Sequence, residues 1–111
     1  MSEPDATTVL SITTTVPARE QGLALARQLL AARLAACVQV DEQPITSLYH
    51  WQGRLCEEAE WRVTIKTTPA CEPALRALAF AHHPYEVPQW LVTGMQASPA
   101  YAAWAREETG A

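Results

Sequence analysis

The chain has 111 residues, a length that suits one domain with one hydrophobic core. Hydrophobic residues make up 49% of the chain and charged residues 18%, a balance that is typical of a folded protein and excludes extensive disorder. The formal net charge is -4, and the basic residues are scattered rather than clustered, which argues against nucleic acid as a partner.

The N-terminal residues are polar and acidic, and we predict that residues 1–7 form a flexible tail before a single domain over residues 8–111. An acidic start is the opposite of the basic start of a signal peptide. Charged residues interrupt the longest apolar stretch, residues 23–40, so we expect no membrane span and no membrane partner. Three cysteines without a C-x-x-C pair are typical of reduced thiols, and a cytoplasmic location is therefore predicted.

The first third of the chain predicts a strand, a helix and a strand. Residues 8–16 are rich in Val, Ile and Thr, as strands are, and Pro17 is well placed near a helix start. Residues 18–34 predict the helix, in which Gly22 is expected to cost about 1 kcal/mol relative to alanine. Residues 35–40 predict a small-residue buried strand. The apolar stripe of the helix is predicted to contain Leu23, Leu25, Ala26, Leu29, Leu30 and Leu34.

Residues 45–68 predict a long β-hairpin. Two strand-like runs flank Gln52 and Gly53, a pair that suits a two-residue turn because glycine accepts positive φ. In the second arm apolar and polar residues alternate, as in a half-buried strand. The acidic residues of this arm, Glu57, Glu58 and Glu60, predict a solvated face.

The length of this hairpin predicts an oligomer. An arm of about 10–11 residues would reach roughly 35 Å at about 3.3 Å per residue, which is the full diameter of a compact chain of this size, about 34 Å. Aromatic residues on protruding arms need a cover, and a neighbouring subunit is the obvious one. We therefore predict that Tyr49, Trp51 and Trp61 lie at a subunit interface.

The remaining residues predict a helix, a strand and a final helix. Glu72–His82 predicts the second main helix, with Leu75, Leu78, Ala79 and His82 on one face. Residues 87–95 predict a strand. Ser98 as N-cap and Pro99 as first helical residue predict a short helix that ends at Glu108 and buries Tyr101 and Trp104.

Taken together, the predicted elements follow the order β-α-β, β-α-β and a terminal helix. This order predicts an α+β fold, a ferredoxin-like βαββαβ sandwich with a long central β-hairpin and an extra C-terminal helix. Right-handed crossovers would place both main helices on the same face of the sheet.

Catalysis is not predicted. The spacing of the cysteines and histidines demands no nucleophile–base pair, and the four scattered glycines form no phosphate-binding loop. We name no catalytic residue and predict that the protein is not an enzyme.

The segment 83–88, HPYEVP, is the strongest candidate for a binding surface. Its prolines stiffen a connection that presents Tyr85 and Glu86, and His83 lies beside them, so one interpretation is the wall of a cleft between subunits. The alternative is a rigid loop whose Tyr85 fills the subunit seam and whose Glu86 pairs with an arginine. Lys66, the only lysine, is a candidate anion ligand; the alternative is a surface ion pair with Glu57, Glu58 or Glu60.

Several segments in the same order resemble the CutA family, whose members are described as divalent-cation tolerance proteins. They are RLAACVQV after the first helix, ITSLYHWQGRL, IKTT, HHPYEVPQ and PAYAAW, and the resemblance runs from Val9 to Trp104. It implies a ferredoxin-like domain whose long hairpins lock three subunits into a homotrimer. The same architecture is similar to that of the PII signalling proteins, trimers that bind small effectors in clefts between subunits.

The resemblance also implies a position for copper or another divalent cation. The family's proposed copper site uses a cysteine, the first histidine of the HHPY run and an acidic residue, and these positions fall on Thr14, His82 and Gln89. Only His82 is a good ligand, because a hydroxyl and a neutral amide are poor substitutes for thiolate and carboxylate. The alternative role of His82 is to stabilise the C-terminus of its helix.

The resemblance implies a trimeric CutA-type protein in the cytosol, associated with divalent metal ion (copper) tolerance and acting by binding. The alternative is a PII-like small-molecule sensor or signalling scaffold with ligand clefts between subunits.

Overall fold

The computed structural model describes residues 4–110. Over these residues the chain is α+β, with an antiparallel sheet and three α-helices. The elements are β1 (Thr8–Val16), α1 (Arg19–Ala31), β2 (Cys37–Val40), β3 (Ile45–Trp51), β4 (Arg54–Thr67), a 3₁₀ turn (Pro69–Cys71), α2 (Glu72–His82), β5 (Leu91–Gln96) and α3 (Pro99–Glu108).

Strand β4, 14 residues long, organises the sheet, whose strand order is β2-β4-β1-β5. Its C-terminal half pairs with β1 and β2, and its N-terminal half pairs with β3. Strands β2 and β3 therefore act as one strand interrupted near Pro44, and the predicted ferredoxin-like βαββαβ sandwich is confirmed.

The main core lies between the sheet and helices α1 and α2, and α3 packs on the opposite side. Ile12 of β1 belongs to the cluster beneath α1 and α2, which also contains Leu29 and Leu75. Val9 points to the other face, because strand side chains alternate, and it packs with Ala102 and Ala105 of α3.

Gly22 lets α1 approach the sheet closely. A Cβ atom at this position would lie 3.1 Å from methyl carbons of both Val40 and Val63 and 3.2 Å from one of Val16. Overpacking of this kind typically costs 1–3 kcal/mol, more than the roughly 1 kcal/mol that alanine would gain in helix propensity. Gly22 therefore permits close packing of α1 on the sheet, although it lowers the helix propensity of α1.

Helix α1 ends three residues earlier than predicted. Arg33 adopts a left-handed conformation with φ 59, and the N–H groups of Arg33 and Leu34 donate to the carbonyls of Leu30 and Leu29. This is a Schellman motif without its usual glycine. The predicted stripe was also misplaced, since Leu30 is exposed; the buried residues of the helix are Gly22, Leu25, Ala26 and Leu29.

Two predictions near the C-terminus were wrong. Strand β5 begins at Leu91, not at residue 87, because the segment before it forms a loop. Tyr101 and Trp104 are exposed and contact each other, with ring centroids 5.5 Å apart. Helix α3 instead lies on the sheet through its alanines, whose small side chains permit close packing.

Three locally encoded features are confirmed. Helix α2 has the predicted bounds, Glu72–His82. Gln52 and Gly53 both have positive φ, 51 and 78, as a type I′ hairpin turn requires. The hydroxyl of Ser98 accepts a hydrogen bond from the backbone N–H of Tyr101 at 3.2 Å and so caps α3.

The predicted flexible tail falls partly on residues 1–3, which lie outside the described residues, as does residue 111. Asp5 accepts hydrogen bonds from the backbone N–H and the hydroxyl of Thr7, and the N–H of Ala97 donates to the carbonyl of Thr7. No helix within residues 4–110 is long and apolar enough to cross a membrane.

Candidate functional site

A cleft of about 630 Å³ lies between the hairpin and the segment 84–89 that leads from α2 towards β5. This volume is in the range of small-molecule sites. The side chains that give the cleft its chemistry are Tyr49 and Trp51 of β3, Glu58 and Glu60 of β4, and Tyr85 and Glu86 of the segment.

Glu60 is buried at the base of the hairpin, with only 7% of its surface exposed. The Tyr85 hydroxyl donates a hydrogen bond of 2.6 Å to Glu60 Oε2. Burial, together with this bond and the charge of Glu60, raises the pKa of Tyr85 well above its usual value. The prediction of a solvated face holds for Glu57 and Glu58 but is wrong for Glu60, because residues 84–89 cover it.

His83 attaches the start of the segment to β1. The backbone N–H of Tyr85 donates to His83 Nδ1 at 3.1 Å, and His83 Nε2 lies 2.9 Å from Thr14 Oγ1. Because Nδ1 is an acceptor, the neutral ring carries its proton on Nε2 and donates it to the hydroxyl. Burial lowers the pKa of His83, opposed by a backbone hydrogen bond at Thr15 and by the charge of Glu60.

Trp90 attaches the other end of the segment to α2. Its indole N–H donates to Glu72 Oε2 at 3.0 Å, and its ring meets Phe80 edge-on with centroids 5.4 Å apart. Residues 83–90 are thus held at both ends, which gives the cleft a fixed wall.

The three positions implied by the resemblance do not form a copper site of the expected kind. Thr14 is fully buried, and its hydroxyl contacts His83 instead of His82. His82 is exposed at the end of α2, with Gln28 Nε2 3.4 Å from its Nδ1, and Gln89 lines the cleft. Within residues 4–110, no group of three or more His, Cys, Asp or Glu side chains is arranged to hold a metal ion.

The remaining predicted ligand residues are only partly brought together. Tyr85 and Glu86 line the cleft, and His83 lies behind it. Lys66 Nζ donates to Gln39 Oε1 at 3.0 Å, and none of the ion pairs within residues 4–110 includes Lys66, so the alternative of an ion pair with the hairpin glutamates was wrong for one subunit. The alternative of a Glu86–arginine pair was also wrong for one subunit, since none of the ion pairs within residues 4–110 involves Glu86.

The three predicted interface aromatics occupy two different environments. Tyr49 and Trp51 line the cleft, whereas Trp61 packs against the core of its own subunit. Their role at a subunit interface stays a prediction.

Glu60 is the site residue that sequence reasoning missed. The hairpin register pairs it with Ile45, next to the base of the hairpin. Its period-2 position is the same as that of exposed Glu58, so the pattern carried no signal of burial. The covering segment comes about 25 residues later in the chain, and only the tertiary fold brings it there.

Comparisons with known proteins agree on one family. A family model described as CutA1 divalent ion tolerance protein matches residues 10–108. The divalent-cation tolerance protein CutA of Thermus thermophilus is 38% identical over 97 residues, which cover 86% of this chain and 93% of that protein.

Solved structures give the same result. CutA1 from the psychrotrophic bacterium Shewanella sp. SIB1 superposes with a TM-score of 0.87 at 32% identity, covering 93% of this chain and 96% of that one. The periplasmic divalent cation tolerance protein CutA from Archaeoglobus fulgidus has a TM-score of 0.86 at 26% identity, covering 91% and 98%.

Proposed function

The chain belongs to the CutA1 divalent ion tolerance protein family, and from this premise we propose that it serves tolerance to divalent cations, copper among them, as a homotrimer that binds rather than catalyses. The family match carries the proposal, and the charge of the cleft adds to it. Glu58, Glu60 and Glu86 line the cleft, and no basic side chain from residues 4–110 does. A concave surface of one sign concentrates ions of the opposite sign.

Binding rather than turnover is supported by the state of the one hydroxyl–imidazole pair near the cleft. Thr14 and His83 are within hydrogen-bond distance, as a nucleophile and its base would be. However, Thr14 is fully buried, and neutral His83 donates its Nε2 proton instead of accepting one. The pair therefore fastens the segment and does not activate a nucleophile.

For the metal itself we propose His82 as the principal donor. Its imidazole is exposed at the C-terminal end of α2, where Cu²⁺ has access to it, and imidazole suits copper. Thr14 and Gln89 supply neither thiolate nor carboxylate. A single good donor predicts weak binding.

A calorimetric titration with Cu²⁺ tests this proposal. We expect saturable binding by the wild type and a loss of about tenfold in affinity, roughly 1.4 kcal/mol, in His82→Ala. The matched control is His50→Ala, which removes another exposed histidine, on β3. Unchanged uptake by His82→Ala would remove its ligand role, and no saturable uptake of any divalent cation by the wild type would refute the metal part of the proposal.

A cytoplasmic location remains part of the proposal. It is supported by the thiols of Cys37, Cys56 and Cys71, none of which forms a disulfide. The printed name of the Archaeoglobus fulgidus protein assigns that relative to the periplasm.

A second candidate function is a small-molecule sensor or signalling scaffold of the PII-like kind. The size of the cleft and its aromatic walls favour this function, since a bare ion needs neither. In this reading Tyr85 and Glu86 contact the ligand. Lys66, which faces Gln39, does not line the cleft of its own subunit.

A further inference from the structure

We infer that the cleft binds an organic cation, a primary ammonium or guanidinium group, through the carboxylates of Glu58 and Glu60 and the rings of Tyr49 and Trp51. The inference rests on the second candidate function, ligand binding in this cleft, and names the chemical class of the ligand. It does not require that the protein bind a metal ion.

Glu60 brings a buried carboxylate to the wall of the cleft. The side chain is more than nine-tenths buried, yet none of the ion pairs within residues 4–110 includes it. Tyr85 donates a hydrogen bond to Oε2, and within residues 4–110 no donor bonds to Oε1. The carboxylate lines an open cleft, where an entering cation would supply the positive partner.

The remaining walls of the cleft are aromatic. Tyr49, Trp51 and Tyr85 line the same space as Glu58 and Glu60. Aromatic faces attract ammonium and guanidinium groups. The combination of carboxylates and rings matches an organic cation, and walls without a basic side chain from residues 4–110 disfavour an anionic effector held by this subunit alone.

The cleft favours an organic cation over a bare metal ion. Within residues 4–110, no group of three or more His, Cys, Asp or Glu side chains is arranged to hold a metal ion. The cleft instead offers a space of about 630 Å³, which fits a ligand of several heavy atoms.

The cation has two possible sources with the same chemistry. One is a free amine or guanidine. The other is an arginine of a second copy of the chain, for which Arg54 at the hairpin turn is the candidate, because it is exposed and takes part in none of the ion pairs within residues 4–110.

A titration with agmatine, which carries one ammonium and one guanidinium group, tests the inference on the full-length protein. We expect saturable binding that weakens about tenfold in Glu60→Gln and about threefold in Glu58→Gln, and no binding of succinate, a dianion of similar length. Glutamine keeps the oxygen that accepts from Tyr85, so Glu60→Gln preserves the fold. The matched control is Glu57→Gln, an exposed neighbour of Glu58 on the opposite hairpin face, and it should bind as the wild type does.

Arg54→Ala distinguishes the two sources. If a free ligand occupies the cleft, the wild type and Arg54→Ala bind agmatine alike. If the arginine of a sister chain occupies the cleft, the wild type does not bind agmatine and the Arg54→Ala variant does. Adding Glu60→Gln to that variant then abolishes the binding.

The inference is overturned if neither protein binds agmatine, or if Glu57→Gln weakens binding as much as Glu60→Gln. The Cu²⁺ titration is a separate measurement. Copper uptake without agmatine binding refutes this inference alone, and agmatine binding without copper uptake refutes only the metal role.

Discussion

At the scale of single residues, His83 couples the fold to pH. Its Nδ1 accepts from the Tyr85 N–H and its Nε2 faces the Thr14 hydroxyl, an arrangement that only the neutral ring satisfies. Burial lowers the pKa of His83 from its ordinary value of 6.5, although the nearby carboxylate of Glu60 opposes the shift. A second proton would meet the Tyr85 N–H and detach the segment that walls the cleft.

The sign of the pH effect follows from that pKa. Because the folded state disfavours the charged ring, its stabilising contribution is fully present above about pH 6.5 and is lost as the pH falls below that value. We expect the free energy of unfolding to decrease between pH 7.5 and pH 5, and to decrease less in His83→Gln. Denaturant titrations in the presence of EDTA measure this difference without metal binding.

The control for this measurement is His50→Gln, which removes an exposed histidine and should keep the wild-type pH dependence. A pH dependence that is the same in His83→Gln as in the wild type would show that His83 does not titrate with folding.

At the scale of elements, the end of α1 carries avoidable strain. Arg33 takes the left-handed position of the Schellman motif, which costs a residue with a side chain about 1 kcal/mol more than glycine. Its ion pair with Glu108, 3.0 Å long and largely exposed, returns less than about 1 kcal/mol. We predict that Arg33→Gly is about 1 kcal/mol more stable than Arg33→Ala, measured by chemical denaturation at equal protein concentration.

Both Arg33 variants lack the ion pair, so their difference isolates the backbone conformation. Arg27→Gly is the companion control, because it places glycine at an exposed position inside α1, where it should cost about 1 kcal/mol. If Arg33→Ala equals or exceeds Arg33→Gly in stability, the left-handed position carries no strain.

Elements with a local chemical signal were predictable from the sequence. Pro84 after α2, the Gln52–Gly53 turn and the Ser98 cap each act within a few residues, and each had the predicted place. The end of α1 lacked such a signal, because Arg33 occupies the left-handed position at which a glycine would have indicated the end of the helix.

Features that depend on distant contacts were not predictable in the same way. The exposure of Tyr101 and Trp104 depends on which face of α3 meets the sheet. The face that does so carries Ala102 and Ala105, which pack against the sheet. The burial of Glu60 depends on residues 84–89, whose path is determined by the hydrogen bonds of Trp90 to α2 and of His83 to β1. The period-2 pattern of a strand and the period-3.6 pattern of a helix show which residues share a face. They do not show which part of the chain covers that face.

At the scale of the whole molecule, one chain leaves a protruding apolar surface. Its principal extents are 44 × 31 × 24 Å, so the subunit is elongated. Leu48 and Leu55 share the hairpin face opposite to that of Tyr49 and Glu60 and are 61% and 69% exposed, and Leu48 also borders the cleft. The edge strand β5 also exposes Leu91 and Val92. Apolar hairpins and strand edges of this kind are normally covered by another chain.

We therefore expect a homotrimer in solution, with a mass about three times 12.2 kDa by light scattering at micromolar concentration. The double variant Leu48→Glu with Leu55→Glu should shift the protein towards monomer, because burying two carboxylates in an apolar contact costs several kcal/mol. Its control is Leu30→Glu, which places one such charge on an exposed leucine of α1, outside the hairpin and β5.

The pattern of outcomes across these three proteins decides which surface joins the subunits. A trimeric control with a dissociated double variant assigns the interface to the hairpin face of Leu48 and Leu55, and Arg54 at the hairpin turn then has a sister chain to reach. A double variant that stays trimeric moves the contact elsewhere, with β5 the next candidate. A wild type that is folded and monomeric at micromolar concentration contradicts the trimer itself, and the cleft would then have to be understood as the property of one subunit.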